Sequence, residues 1–374
     1  MKKNKAMYTL QQDIIIPDIV ENKSNQAFAR IKKEAKAENE KIVVYATKTK
    51  RLKKKYAVLA LTAVLAVGTV SVYAAYTNWS KGLKEELRVT DDQQENLQTN
   101  GMAAFSDASA TDAGITVSAQ QSITDNYYTY LAFKVEGYDL KEGQQPDFEN
   151  VSVTVDGKQD FSSGSSFYSG IVSGNDGMAV YADGSALETT EDGRIIEHYV
   201  MDDGSLEYHM VLAKSDEKGY FIGKKLHVEF ENLGTVDKAE YTPDITGKWE
   251  LDMTLGGADT STIIQTDEKI GDTGLTLTSI ELSPVSIRVA YDGATADQGA
   301  ETPMITGLVF KDGTRIEGIY GGPGSEFTEG SQRISAFAFD RVIDPDQVTA
   351  VLIPNTSNGT GGENNQEYYE IAVQ

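Results

Sequence analysis

The chain has no cysteine. That excludes disulfides, thiolate metal sites, a cysteine nucleophile and a lipid-modified cysteine anchor. Domains of this sequence must hold together by their cores alone, which larger exported domains do without cross-links. Histidine is nearly as scarce, with three in 374 residues. Catalytic signatures are missing as well: there is no Gly-x-Ser-x-Gly elbow, no His-Glu-x-x-His helix and no phosphate-cradling Gly-rich loop ahead of a helix. Acids such as Asp176, Asp183, Glu188, Glu191 and Asp192 cluster without EF-hand spacing. The expectation is a protein that is not an enzyme and carries no cofactor.

Charge, in contrast, is abundant and unevenly placed. The net charge is −23, yet residues 1–55 hold 15 Lys/Arg against 6 Asp/Glu and the remainder 19 against 51. An acidic bulk disfavours nucleic acid, whose phosphates need a basic surface. The sign changes at the apolar run Tyr56–Tyr76, uncharged throughout. As a helix this run is about 31 Å long at ~1.5 Å per residue, close to the ~30 Å hydrocarbon thickness. Tyr56, Tyr73 and Tyr76 mark its ends. Lys48, Lys50, Arg51, Lys53, Lys54 and Lys55 precede it without an intervening acid. By the positive-inside rule the N-terminus is cytoplasmic and the C-terminal bulk extracellular. The rival reading is a cleaved signal, with Val72-Tyr73-Ala74 as the cleavage site. About 55 residues ahead of a core longer than a signal's 7–15 residues argue against it.

Within residues 1–55, Pro17-Asp18 followed by Glu21 reads as a helix N-cap with its capping box. Val20, Ser24, Ala27, Phe28, Ile31 and Ala35 then fall on one narrow stripe. Such a helix has no core of its own. Three readings stay open: a groove on a partner protein with Val20, Ala27, Phe28 and Ile31 as anchors, the inner leaflet, or a solvated tail.

Beyond the apolar run, residues 77–112 read as a juxtamembrane helix with a second capping box at Thr90 and Gln93, then a linker. Trp79 suits a membrane interface. The period then changes to two. Tyr127, Thr129, Leu131, Phe133 and Val135 alternate with Tyr128, Tyr130, Ala132 and Lys134 as a half-buried strand. Val151, Val153 and Val155 do the same ahead of Asp156-Gly157. Asp-Gly pairs recur at 176, 183, 192, 203, 292 and 312 and favour hairpin turns. Residues 113–257 are therefore expected to form a first antiparallel β domain and 258–274 a linker. Residues 275–374, with seven short strands, are expected to form an immunoglobulin-like sandwich. The Gly/Ser run Ser162–Gly174 reads as a loop. A turn at Asp203-Gly204 would pair His198 with His209 across a hairpin, a candidate metal or pH-sensitive pair that lacks a third ligand.

Three stretches carry a resemblance. The first is Ile16-Pro17-Asp18-Ile19-Val20 running into Ala27-Phe28-Ala29-Arg30-Ile31-Lys32. The second starts with Trp79, Gly82-Leu83 and Leu87-Arg88-Val89-Thr90, and continues through Gly114-Ile115-Thr116-Val117 and Ile123-Thr124-Asp125. The third is Leu275-Thr276-Leu277-Thr278 with Glu281-Leu282-Ser283-Pro284. Together they resemble a family of single-pass membrane proteins of Gram-positive bacteria with an extracellular domain of unknown function, often encoded beside extracytoplasmic-function sigma factors. The third stretch is similar to the immunoglobulin-like module that accompanies it. The resemblance implies an anti-sigma-like regulator whose residues 1–55 hold a sigma factor at the membrane while the outer domains sense the envelope. The His/Cys zinc motif of the better-known anti-sigma domain is absent, so the Asp18–Ala37 helix would make the contact. The rival function is a surface binding or adhesion module whose tail serves only topology.

Overall fold

The computed structural model describes residues 79–271, 273–293, 303–355 and 368–373, all within the unit Val70–Gln374. The expected span at 56–76 and the stripe of Val20, Ala27, Phe28 and Ile31 lie outside them. Among the described residues no helix is long and apolar enough to cross a membrane.

The fold is mainly β, in antiparallel sheets. Two short helices come first, α1 (Lys81–Glu86) and α2 (Asp91–Thr99). The first sheet runs β1 (Ala103–Phe105), β3 (Ile115–Thr124), β4 (Tyr128–Glu136), β9 (Leu206–Ala213) and β6 (Ser162–Phe167), with β2 (Ser109–Asp112) also on β3. The second is β5 (Gln145–Val155), β10 (Lys225–Asp237) and β11 (Glu240–Thr254), with β10 central. A small pair, β7 (Ile171–Ser173) and β8 (Ala179–Tyr181), stands apart from both. The inner faces of the two sheets meet in one core. Leu131, Phe133, Val135 and Leu206 come from one side, and Phe148, Val228, Phe230 and Trp249 from the other. Trp249 is fully buried, and its indole N–H donates to the Ile115 carbonyl at 3.0 Å.

The C-terminal body repeats the principle. One sheet orders β12 (Thr262–Lys269), β13 (Thr276–Leu282), β14 (Ser286–Asp292), β18 (Gln332–Phe339) and β17 (Tyr320–Glu329). The other orders β16 (Arg315–Glu317), β15 (Gly307–Phe310), β19 (Val348–Pro354) and β20 (Tyr368–Ala372). Their shared core includes Leu277, Tyr291, Leu308, Phe337, Phe339 and Val351. The two bodies open with the same device. A Cβ on Gly137 would stand 2.5 Å from the Gly114 carbonyl oxygen, and one on Gly293 2.4 Å from that of Gly274. In each body the glycine at the exit of a hairpin lets its backbone touch the glycine at the entrance.

Several expectations change. All seven C-terminal strands are present, but β12 and β17 are added. β12 occupies much of the expected linker 258–274. β17 contains Gly321-Gly322-Pro323-Gly324, which an edge strand with a register shift between Tyr320 and Gly324 accommodates. The expected loop at Ser162 is instead edge strand β6, with small side chains against β9. The expected linker near Ser106–Gly114 contains β2. Asp156-Gly157 is the expected left-handed turn, at φ 47° and 76°.

The His198–His209 hairpin does not form. Met201 closes its turn on Ser205, so β9 starts only at Leu206 and the residues ahead of the turn take no strand. His198 is exposed and packs beside the Tyr181 ring. His209 is buried elsewhere. No candidate metal pair exists there.

Candidate functional site

The two helices do not stand clear of the β bodies. A six-residue helix such as α1 is too short to persist alone, and here tertiary contacts hold it. Ser80 is its N-cap, its hydroxyl oxygen accepting from the Leu83 N–H at 3.0 Å. Arg88, at φ 50°, turns the chain out of the helix. Thr90 then caps α2 with the expected capping box, Gln93 reaching back to the Thr90 N–H at 3.0 Å. The single helix expected here is thus two, separated by the left-handed residue Arg88.

Leu83, Leu87, Val89 and Leu97 of this segment enter a third apolar cluster. The first sheet contributes Ile123, Tyr128, Tyr130 and Ala132 from its outer face, and the C-terminal body contributes Val285, Ala338 and Val342. This explains why β4 is buried on both faces and not on one, as its alternation suggests. The segment is a wedge shared by both bodies. Its ties to the C-terminal body are polar too: the Val342 N–H donates to the Leu87 carbonyl at 2.7 Å, and the Gln93 amide to the Val342 carbonyl at 2.9 Å. Trp79, expected at a membrane interface, packs against the same cluster and lies edge-on to Phe105.

On the first body the wedge is fastened by charge. Glu207 and His209 are two apart on β9 and share its outer face. His209 Nδ1 meets the Glu86 carboxylate of α1, and Nε2 lies 3.1 Å from Glu207 Oε2. The same Glu207 oxygen accepts from the Ser80 hydroxyl and, at 3.1 Å, from the Gly82 N–H. Tyr168 stacks on the imidazole and donates to Glu85 at 3.1 Å. Burial alone would push His209 down, but the Glu86 and Glu207 carboxylates outweigh it and hold the imidazole up to about 9. Burial likewise pushes Glu207 up. The imidazolium, the Ser80 hydroxyl and the Gly82 N–H reverse that and hold it below its usual range. The carboxylates sit on opposite ring nitrogens, an ion-paired bridge rather than a chelate. Among the described residues no three His, Asp or Glu side chains gather as a metal set.

Gly82 is where this fastening is tightest. A Cβ there would stand 2.7 Å from Glu207 Oε2 and 2.8 Å from Tyr168 Cδ1. Alanine is the better helix former, yet Gly82→Ala is expected to destabilise the protein by about 1–3 kcal/mol through overpacking. Urea unfolding of the full chain checks this; an unchanged midpoint would show that α1 is not seated against β9.

A second junction joins the bodies turn to turn. Asp125, almost wholly buried, opens the β3–β4 turn. Its Oδ1 accepts from the N–H groups of Tyr127 and Tyr128 at 2.8 and 2.7 Å. Its Oδ2 accepts from the hydroxyls of Ser283 and Ser286 in the β13–β14 turn. Burial raises the Asp125 carboxyl, against the pull of these four donors. Beside it, Tyr127 donates to Glu281 at 3.0 Å, and Asn126 donates to Asp259 at 2.7 Å and to Glu281 at 3.2 Å. Lys218 neutralises that pair, at 3.1 Å from Asp259 and 3.3 Å from Glu281.

Residues 48–137 match the model of a family described as a domain of unknown function (DUF4179). The matched stretch takes in the apolar run, both helices and strands β1–β4, ending on the hairpin glycine Gly137. Among solved structures the chain is similar to the crystal structure of the conserved domain protein from Bacillus anthracis. The two are 12% identical with a TM-score of 0.39, over 73% of this chain and 87% of that one. No curated protein matches it.

Proposed function

We propose that this chain is a membrane-anchored regulator of the anti-sigma type, with Tyr56–Tyr76 as its single span. Residues 1–55 hold a sigma factor on the cytoplasmic side, with Val20, Ala27, Phe28 and Ile31 in its groove. The two β bodies, the second of them immunoglobulin-like, face outward and respond to the envelope. One observation supports this reading over an adhesion module. The helices that directly follow the apolar run share a core with both bodies, so a change in how the bodies pack is felt where the chain leaves that run. Coupling of this kind runs through packed, contiguous elements, and the wedge is packed against both bodies. An adhesin that only displays its ligand site needs no such junction.

The test is capture of the tagged full-length chain from membranes of its native cell, with co-purifying proteins identified by mass spectrometry. One sigma factor is expected, with recovery falling roughly tenfold or more in Phe28→Ala, since a buried aromatic anchor contributes about 2 kcal/mol or more. Absence of any sigma factor, or equal recovery with the variant, would favour the adhesion reading.

A further inference from the structure

We propose that Glu86, His209 and Glu207 form a charge-set catch that seats α1 on β9, and that opening it frees α1 while both β bodies stay folded. This rests on the reading that the wedge carries the state of the bodies toward the apolar run, and it names how that junction is controlled.

Most of the wedge is held by apolar contact, which does not respond to small changes of charge. The α1–β9 contact adds charge to this: Val211 and Ala213 of β9 join the apolar cluster, while Glu207 and His209, both buried on the same face, bond to Ser80, Gly82 and Glu86. Each holds the other in its charged form. Without its proton His209 would leave two carboxylates facing each other across a neutral ring, and a buried ion pair that loses one member becomes strongly unfavourable. The seat is close as well: the Gly82 N–H donates to Glu207 at 3.1 Å, and a Cβ on Gly82 would stand 2.7 Å from that carboxylate.

The surrounding charges do not compensate. On α1, Glu85 is engaged by Tyr168, and Lys81 reaches Asp202 at 2.5 Å and Glu85 at 3.7 Å. On β4, the residue opposite His209 is Ala132 and that opposite Glu207 is Lys134. The Lys134 ammonium instead pairs with Asp203 at 2.8 Å and Glu136 at 3.0 Å. On β6 the residue opposite His209 is Ser166. Tyr168 and Tyr130 both stay neutral, held above their usual range by burial and the nearby carboxylates. Lys84 of α1 pairs with Asp91 at 2.7 Å, and Arg88 beyond it donates to Asn175 at 3.4 Å, so the cations of these elements are engaged elsewhere.

Protonation and folding are linked at both groups. His209 is raised on folding, so its contribution is fully present below pH 6.5 and is lost as pH rises through about 9. Glu207 is lowered, so its contribution is present above pH 4.5 and is lost as pH falls through its lowered value. The catch is shut in the window between and opens on the alkaline side through His209.

The experiment is amide hydrogen exchange on the full-length protein in lipid nanodiscs from pH 6 to 10, corrected for intrinsic exchange. Peptides over α1 are compared with peptides over β4. Protection of α1 is expected to fall at least tenfold through the region of pH 9 while β4 holds. In Glu86→Gln, one of the two carboxylates holding the proton is gone, and the midpoint is expected to move down by about one pH unit or more. Protection of α1 that stays flat, falls together with β4, or keeps its midpoint in Glu86→Gln overturns the catch. If α1 opens as expected and sigma-factor retention at the same pH is unaltered, the catch stands and the regulator reading falls.

Discussion

Asp125→Ala is expected to destabilise the protein by about 3–5 kcal/mol and to make the two β bodies unfold in separate steps. One carboxylate accepts four hydrogen bonds, two from its own turn and two from the serines of the facing turn. Alanine leaves two amide N–H groups and two hydroxyls in a buried junction without that acceptor. Each buried group left unsatisfied costs about 1–3 kcal/mol, with some relief from rearrangement and water. The Ser283 hydroxyl also organises its own turn, its oxygen accepting from Val285 N–H at 3.1 Å and Ser286 N–H at 2.9 Å, so the disturbance reaches both sides. Differential scanning calorimetry of the full chain reads the result. A single transition at the wild-type temperature would show that the turn-to-turn contact contributes nothing to coupling.

Of comparable size is the effect of His209→Ala. It leaves Glu86 and the buried Glu207 without their shared cation, and breaking a buried pair by removing one member costs about 3–5 kcal/mol. The informative comparison is His209→Ala combined with Glu207→Gln. The neutral amide still accepts from Ser80 or Gly82 but carries no uncompensated charge, so the double variant is expected to be more stable than His209→Ala alone. If the two substitutions add, the electrostatic account of the α1 seat is wrong and His209 contributes by packing only.

The strands were the readable part of this fold. Alternation at Leu131, Phe133 and Val135, valines ahead of Asp156-Gly157, and seven short runs after residue 275 all mark strands that exist, because a period of two reports local backbone geometry. What hid the rest was tertiary context. Alternation made β4 a half-buried strand, yet Tyr128 and Tyr130 are buried as well, because the wedge and the C-terminal body cover their face. β17, with Gly321-Gly322-Pro323-Gly324, was not among the expected strands, and pairing with β18 at a sheet edge makes it one. The capping box at Thr90 was visible since it is local.

The site itself was half visible. Glu207 and His209, two apart in a strand, necessarily share a face, and that was a signal that the expected pairing with His198 obscured. Glu86 lies 123 residues away from His209 in sequence, and nothing in the spacing of α1 points to it. Asp125 offered a cue only in its position ahead of a hairpin.

On the proposed function, the α1 junction and residues 1–55 act as one device. It is tested most directly by sigma-factor retention on the full-length chain in native membranes, compared between wild type and Gly82→Ala, which disturbs the α1 seat and lies far in sequence from residues 1–55. The expected result is a sigma factor whose retention changes at least severalfold in Gly82→Ala with residues 1–55 untouched. Equal retention by the two proteins, with α1 shown by hydrogen exchange to be unseated in the variant, would contradict it.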